Sequence, residues 1–402
     1  MSGTLIQIGT FGKQDVETVL NPSMTFWKSV YKRHTPFGLE PKSVETTSST
    51  DWGRRFSATV DKIGDLLAKP YFYIELGNLN AGAGGAYFCE DVGRAMFEEI
   101  ILEIGAVQFD KIYPEHIHAQ EEVSQLAETQ LGKLTGKTTS VAELIQWAQN
   151  TQYLYVPVDV WFADDYGAAL PLVALHLSDV KFTAKLRQKS EVIKGNPDPY
   201  VIQPTDAVIN DLHLLFETVI LDDPERDWFA NTPLKYVITQ HQYLGAQTVR
   251  AGATNATIDV VFNHPIKEYT WMFRGAANTA VNNWFNFSGG ETGNLLGEAF
   301  KTMQLTFNGQ QRIMPMGPLY YRVLQNKNHH ARVPRKNIYT YSFALYPTDP
   351  NPTGSYNASR VDTTRMLFTF TALGQDYDFL LFCKNINTAT VHKGVCLLAF
   401  AS

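Results

Sequence analysis

The same order of β-type segments runs through the chain twice, at an offset of about 200 residues in a length of 402. The clearest matched pair is two hairpins. Leu102-Glu103-Ile104-Gly105-Ala106-Val107-Gln108 lies beside Leu305-Thr306-Phe307-Asn308-Gly309-Gln310-Gln311. In the first, Ile100, Leu102 and Ile104 alternate with Ile101, Glu103 and Gly105, and Gly105-Ala106 supplies the connection. In the second, Asn308-Gly309 is a strong two-residue turn signal, because such turns need positive φ at both positions. Upstream of each hairpin a strand opens after a lysine, at Lys69-Pro70-Tyr71 and Lys267-Glu268-Tyr269. Downstream come a tyrosine-rich strand (Tyr153 to Val158, Tyr339 to Phe343), a glycine-containing turn, and a strand ending in Phe182-Thr183 or Phe368-Thr369. Duplication of one β-domain explains this order. Each half has room for about eight short strands and long loops, which suits a sandwich closed on one core.

Helical spacing interrupts the β pattern once. Between Pro114 and Asn150, Ile117, Val123, Leu126 and Leu131 fall near helical periods, and Ser140 with Glu143 matches a capping box, so two short helices are expected. Met24 to Tyr31 reads as a short helix or a strand, and Tyr153 to Phe162 as a strand that Pro157 keeps from a central position. Glu225 to Pro233 is charged and turn-rich, and Gly275 to Gly297 is a long polar loop. The expected division is an arm over 1–21, a first sandwich over 22–221 with a helical insertion at about 114–150, a linker over 222–233 and a second sandwich over 234–402.

Net charge is −6, from 34 basic and 40 acidic residues, so no direct nucleic-acid binding is expected. Charged residues make up 18% and aromatics 12%, a balance that suits surfaces covered by neighbours. Cys89, Cys383 and Cys396 are far apart with no CxxC pair, which speaks against a disulfide framework or a cysteine zinc site. Met1 to Gln14 lacks the pattern of a secretory signal, and no apolar run is long enough to span a bilayer, so the sequons at Asn255, Asn286 and Asn357 carry little weight.

Few residues nominate chemistry. His116 and His118 are two apart in a helix and do not share a face, so metal ligation is not expected. Asp164-Asp165 and Asp222-Asp223 sit in turn contexts, where Asp bonds to nearby backbone. Gly82, Gly84, Gly85, Gly289 and Gly290 lack the Lys-Ser/Thr ending of a phosphate loop, and no GxSxG occurs. No catalytic residue, cofactor or metal is therefore expected, and the chain is read as not an enzyme. The basic stretch Lys327 to Lys336, with His329, His330, Arg332 and Arg335, is either a contact for a polyanion or acidic neighbour, or a solvated loop. Trp284, in the long polar loop, is the candidate external aromatic.

Asn21-Pro22-Ser23-Met24-Thr25-Phe26-Trp27-Lys28-Ser29-Val30-Tyr31-Lys32-Arg33-His34-Thr35 resembles the N-terminal signature of the major capsid proteins of nucleocytoplasmic large DNA viruses. Further segments match in order, among them Gly64-Asp65-Leu66, Leu221-Asp222-Asp223-Pro224-Glu225-Arg226, Phe262-Asn263-His264-Pro265 and Gly354-Ser355-Tyr356-Asn357-Ala358-Ser359-Arg360-Val361-Asp362. The resemblance implies an all-β fold of two tandem eight-stranded jelly-roll sandwiches with short helical insertions. It implies a homotrimer of pseudo-hexagonal outline, trimers tiling an icosahedral virion shell, and assembly in the host cytoplasm or virus factory. It also implies minor capsid or scaffold proteins on the inner face and an internal membrane nearby that the chain does not span. The arm up to about Asn21 would face inwards, and Asn21 to Thr35 would open the first jelly roll. The residues that carry the signature are Asn21, Pro22, Phe26, Tyr31, Arg33, His34 and Thr35, with Asn357, Arg360 and Asp362 in the second half. The alternatives are a minor capsid paralogue of the same fold, or a glycan- or receptor-binding sandwich module.

Overall fold

Alternation with a period of two sets the strands. In β3 (Leu66–Leu76), Phe72, Ile74 and Leu76 point into a core while Tyr71, Tyr73 and Glu75 face outward. The computed structural model describes residues 3–10, 12–47, 50–79, 85–124, 132–138, 140–195, 201–288, 297–371 and 373–400. The chain forms two compact units, Met1–Pro36 and Phe37–Ser402.

In the larger unit the first half carries, with β3, strands β1 (Phe37–Glu45), β2 (Arg55–Thr59), β4 (Tyr87–Phe88), β5 (Phe97–Ile104) and β6 (Val107–Ile112). These are followed by β7 (Gln152–Pro157), β8 (Leu170–Pro171), β9 (Val180–Leu186), β10 (Ile193–Lys194) and β11 (Ile209–Leu221). They form sheets of order β1-β11-β3-β7 and β2-β9-β5-β6, with β8 on β3 and β4 paired to β10. The second half carries β12 (Leu234–Tyr243), β13 (Gln247–Val249), β14 (Asn255–Val260), β15 (Pro265–Gly275), β16 (Thr302–Phe307) and β17 (Gln310–Met316). It ends with β18 (Tyr339–Ser342), β19 (Tyr356–Asn357), β20 (Thr364–Thr369), β21 (Tyr377–His392) and β22 (Val395–Leu398). Its sheets run β12-β21-β15-β18, with β19 on β15, and β14-β20-β16-β17. The two halves thus repeat one strand order position by position, and each half is a jelly roll.

The matched hairpins share their turn as well. Gly105 and Ala106 have φ of 58° and 66°, and Asn308 and Gly309 have φ of 48° and 76°. Both are the left-handed pairs of a type I′ turn, whose twist fits the flanking strands. The lysine-led strands match less simply. Lys69 has φ of 47°, the register of β3 on β11 slips between Leu215 and Glu217, and that of β15 on β21 slips between Ile266 and Glu268. One extra residue reverses which side chains face the core. Both strands change phase in this way, and the two lysines do not hold equivalent places: Tyr71 faces outward, whereas Tyr269 is wholly buried, and the inward counterpart of Trp271 is Phe72.

Each jelly roll has an aromatic core. In the first, the Phe72 ring packs edge-on to Phe56 at 5.8 Å and against Phe97 at 5.3 Å. In the second, Trp271 stacks on Tyr339 at 6.0 Å, and Phe273 meets Phe368 at 5.4 Å. The first core also takes in residues from the outer face of the β12-β21-β15 sheet, including Ile238, Met272, Leu380 and Phe382, so the two jelly rolls share buried surface.

Several local expectations change. The tyrosine-rich strand stops at Pro157, which has no N–H for a further ladder bond, and Trp161–Asp164 is a helical turn. The charged junction is a helix, Asp223–Asn231, with Asp222 accepting from the Asp223 N–H and Pro224 in its first turn. The insertion holds the helices Pro114–Val123 and Val141–Ala148, the latter capped by Ser140 accepting from the Glu143 N–H at 3.5 Å. Leu126 and Leu131 lie outside the described residues. Met24 to Tyr31 is neither helix nor strand, and β1 starts only at Phe37, so Asn21 to Thr35 precedes the sheets instead of opening one.

Candidate assembly surfaces and the seam between the jelly rolls

Charged residues placed on strand and helix faces that should meet water instead meet the other jelly roll. The helix Pro114–Val123 lies between β6 and β7 and crosses onto β15 and β21. His116 stacks on Phe382 with ring centroids 5.0 Å apart, and Gln120 donates to the Thr270 hydroxyl at 3.1 Å. Glu115 accepts from Arg187 of its own jelly roll at 2.7 Å and from Arg274 of the other at 3.2 Å. Burial works against the Glu115 carboxylate, but Arg187 and Arg274 hold it ionised and below its ordinary range.

Trp284 completes this cluster and corrects the sequence reading. It is only 8% exposed, its indole N–H donates to the Glu191 carbonyl at 2.7 Å, and the guanidinium groups of Arg187 and Arg274 lie 4.0 and 5.0 Å from its ring. A ring between two cations inside the protein is a cation–π clamp, not an external anchor. Composition alone misled: Gly275 to Gly297 reads as a polar loop, but Phe285 and Phe287 are also buried, and residues 289–296 lie outside the described residues.

A second cluster spans the seam at His241. Its Nδ1–H donates to Asp110 at 2.8 Å, its Nε2 lies 3.4 Å from Asp159, and Asp159 pairs with Lys384 at 3.3 Å. Burial alone would push the His241 ring down, but Asp110 and Asp159 raise it to about 9, so it is an imidazolium at neutral pH. Beside it, His116 is held well below its ordinary range by burial and by His241. The third cluster joins Asp91, Arg94 and His118. Arg94 donates to Asp91 at 3.0 Å and to Glu121. Burial, Lys336 and Lys137 keep His118 neutral, so its contact with Asp91 at 2.7 Å is a hydrogen bond from Nδ1–H. Its Nε2 then accepts from Lys336 at 3.0 Å.

The basic stretch is therefore divided. Lys336 turns inward to Glu90 at 2.8 Å, and His330 is buried against Glu268 at 2.8 Å, while Lys327 stays exposed. A cavity of about 370 Å³ beside the third cluster is lined by Lys69, Arg94, Glu121, Asp159 and Lys384 among others; Arg94 pairs with Glu121 and Lys384 with Asp159, while the Lys69 ammonium lies over the Tyr166 ring. Among the described residues no cluster of three or more His, Cys, Asp or Glu side chains is placed to hold a metal ion, and no helix is long and apolar enough to cross a membrane.

The signature residues fall into two sets. Asn357 ends β19 and Arg360 and Asp362 lie on the turn that follows; all three are exposed, and the Asn357 side chain accepts from the Ser359 N–H at 3.1 Å. Asn21, Pro22, Phe26, Tyr31, Arg33, His34 and Thr35 belong to the separate N-terminal unit, and all are exposed, Phe26 and Tyr31 by 88% each. No described residue of 3–36 is buried, although Leu5, Ile6, Ile8, Leu20, Met24, Trp27 and Val30 are large and apolar. The seam residues Asp110, Glu115, His241 and Arg274 were not singled out from sequence. The available signal was ionisable residues inside strands otherwise rich in apolar ones.

Two family profiles cover nearly all of the chain in succession. Residues 25–222 match the major capsid protein N-terminus, and residues 225–395 match the large eukaryotic DNA virus major capsid protein. The major capsid protein of Pyramimonas orientalis virus is 27% identical, with both chains covered completely. That of Paramecium bursaria Chlorella virus 1 is 27% identical over 92% of this chain and 88% of the other. Among solved structures, the PBCV-1 virus capsid superposes with a TM-score of 0.81 at 23% identity, covering 94% of this chain and 100% of that one. The Faustovirus major capsid protein gives 0.74 at 12% identity, covering 96% of each chain.

Proposed function

The chain belongs to the major capsid protein family of large eukaryotic DNA viruses, and on that footing we propose that it is the repeating brick of a virion shell. Three copies close round an axis into a capsomer of near-hexagonal outline, and capsomers tile an icosahedral surface. The observation that carries this reading is the seam. Two jelly rolls of the same strand order are fastened by buried pairs at Asp110–His241 and Glu115–Arg274 and by a part-buried pair at Glu90–Lys336, so one chain supplies two near-equivalent faces at a fixed angle. Three such chains supply six, and a closed ring needs only one kind of contact between them.

The role is structural rather than catalytic, in keeping with the major capsid proteins it resembles: Asp110, Glu115, His241 and Arg274 pair across the seam. The division into an arm, a first jelly roll ending near Leu221, a helical linker and a second jelly roll from Leu234 is part of the same reading. So are contacts of the arm with neighbouring capsomers or with minor proteins on the inner face. Native mass spectrometry with electron microscopy of the purified chain tests it. A three-subunit particle of six-lobed outline is expected; a monomer at micromolar concentration would refute it.

A further inference from the structure

The duplicated fold leaves one jelly-roll face covered and its twin bare. On the second jelly roll, the outer side of β12-β21-β15 has no open surface. Met272 opposite Leu380, and Thr270 opposite Phe382, are all 2% exposed or less. The first jelly roll covers them, with His116 and Gln120 of the helix Pro114–Val123 seated directly on Phe382 and Thr270.

On the first jelly roll the equivalent pairs are Tyr73 opposite His213 and Tyr71 opposite Leu215, and these are only half-buried. Tyr155 packs edge-on to Tyr73 at 5.2 Å, and Tyr153, next along β7, is 59% exposed. Glu75 and Asp211 stand directly opposite each other on the same face. Within the chain Asp211 meets the His213 ring nitrogen at 3.0 Å and Glu75 accepts from the Asn210 amide at 3.2 Å, and the two facing carboxylates leave a negative patch that a cation from a partner complements.

The duplication also supplies a counterpart for the covering helix. Between β17 and β18, where the first jelly roll has Pro114–Val123 between β6 and β7, the second carries the helical segments Tyr320–Leu324 and Gln325–His329. Their outer side presents Leu324, 44% exposed, and Lys327, with Leu319 at 60% just ahead.

We propose that this Leu324–Lys327 side seats on the Tyr73–Tyr155 sheet face of a second copy of the chain, repeating between chains the seam that joins the jelly rolls within one. Lys327 then approaches Glu75 and Asp211, which gives the exposed end of the basic stretch an acidic partner. The contact is head-to-tail: each chain offers one sheet face and one helical face, and three chains close the ring. The proposal rests on the capsomer reading and names its contact.

Sedimentation of full-length variants tests it. Tyr73→Glu and Leu324→Glu, each alone, are expected to run as single subunits at concentrations where the unaltered chain runs as three. Mixed together they are expected to give a two-subunit species, because each retains the one face the other lacks. Lys327→Glu, on an exposed side chain that leaves the fold intact, is expected to weaken the trimer at least tenfold. Trimers unchanged in Lys327→Glu and in either folded Glu variant, or a mixture that stays monomeric, would overturn the contact. An unaltered chain that runs as a single subunit would instead overturn the capsomer reading.

Discussion

His241 and Asp110 hold each other twice across the seam: the ring Nδ1–H donates to one carboxylate oxygen at 2.8 Å, and the His241 backbone N–H donates to the other, also at 2.8 Å. One side-chain bond and one backbone bond to the same carboxylate fix β12 against β6 in position and in angle. A surface ion pair has no such grip, being solvated and free to turn.

That pairing makes the fold sensitive to alkali. The His241 pKa is about 9 in the folded chain, against an ordinary value of 6.5. Its stabilising contribution is therefore fully present below the ordinary value and is lost as pH rises through about 9. The full loss is on the order of 3 kcal/mol. Lys267, which burial lowers to about 8, acts in the opposite direction over part of this range, so the measurement is a difference. Urea unfolding at pH 6 and pH 10 should show that His241→Gln is destabilised at pH 6 and that its deficit shrinks at pH 10. An equal deficit at both would show that the ring carries no charge in the seam.

Removing Glu115 strands two guanidinium groups. Arg187 and Arg274 share its carboxylate, and all three side chains are at most 10% exposed. Breaking a buried pair from one side typically costs about 3–5 kcal/mol. Glu115→Ala should lose that much in denaturant unfolding, whereas Asp259→Ala, whose pair with Arg365 is more than half exposed, should lose less than about 1 kcal/mol. Equal losses would place the Glu115 cluster in water.

The two matched turns differ in strain. Ala106 takes a left-handed conformation at φ 66°, which its Cβ disfavours by about 1 kcal/mol, while Asn308 occupies the same region at φ 48° with less penalty. Ala106→Gly should raise the thermal midpoint, whereas Asn308→Gly should lower it, because it removes the bond that the Asn308 side-chain oxygen accepts from the Thr363 N–H at 2.9 Å. A lower midpoint for Ala106→Gly would mean that the first turn is not of the I′ type.

Much of the architecture was legible because duplication checks itself. An Asn-Gly turn alone marks one hairpin; a second hairpin at the same place in a repeated order marks a domain. The strands β1 and β21 escaped notice for opposite reasons. β1 is a mostly exposed edge strand with Pro41 in its middle. The second half of β21, Asn385 to His392, places Asn385 and Asn387 in a buried polar ladder with Gln240, so apolar alternation does not announce it. The seam was illegible because burial of Glu115 or His241 depends on a surface more than a hundred residues away along the chain. Nothing local separates such residues from solvated ones, and Trp284 was misplaced by the same logic in reverse.

The N-terminal unit carries the signature residues Asn21 to Thr35, and its large apolar side chains stand exposed. Met24, Phe26, Trp27, Val30 and Tyr31 are all at least 67% exposed. Apolar side chains left in water favour association at roughly 25 cal/mol for each Å² they bury. Charge placed there should leave folding and trimer formation intact and act one level higher. Phe26→Asp together with Trp27→Asp should give soluble three-subunit particles with an unchanged thermal midpoint that fail to form larger shells or sheets. Electron microscopy under assembly conditions checks this. Normal sheets from the double variant would remove the arm from the contact between capsomers, and a lowered midpoint would show that these rings are buried within the chain after all.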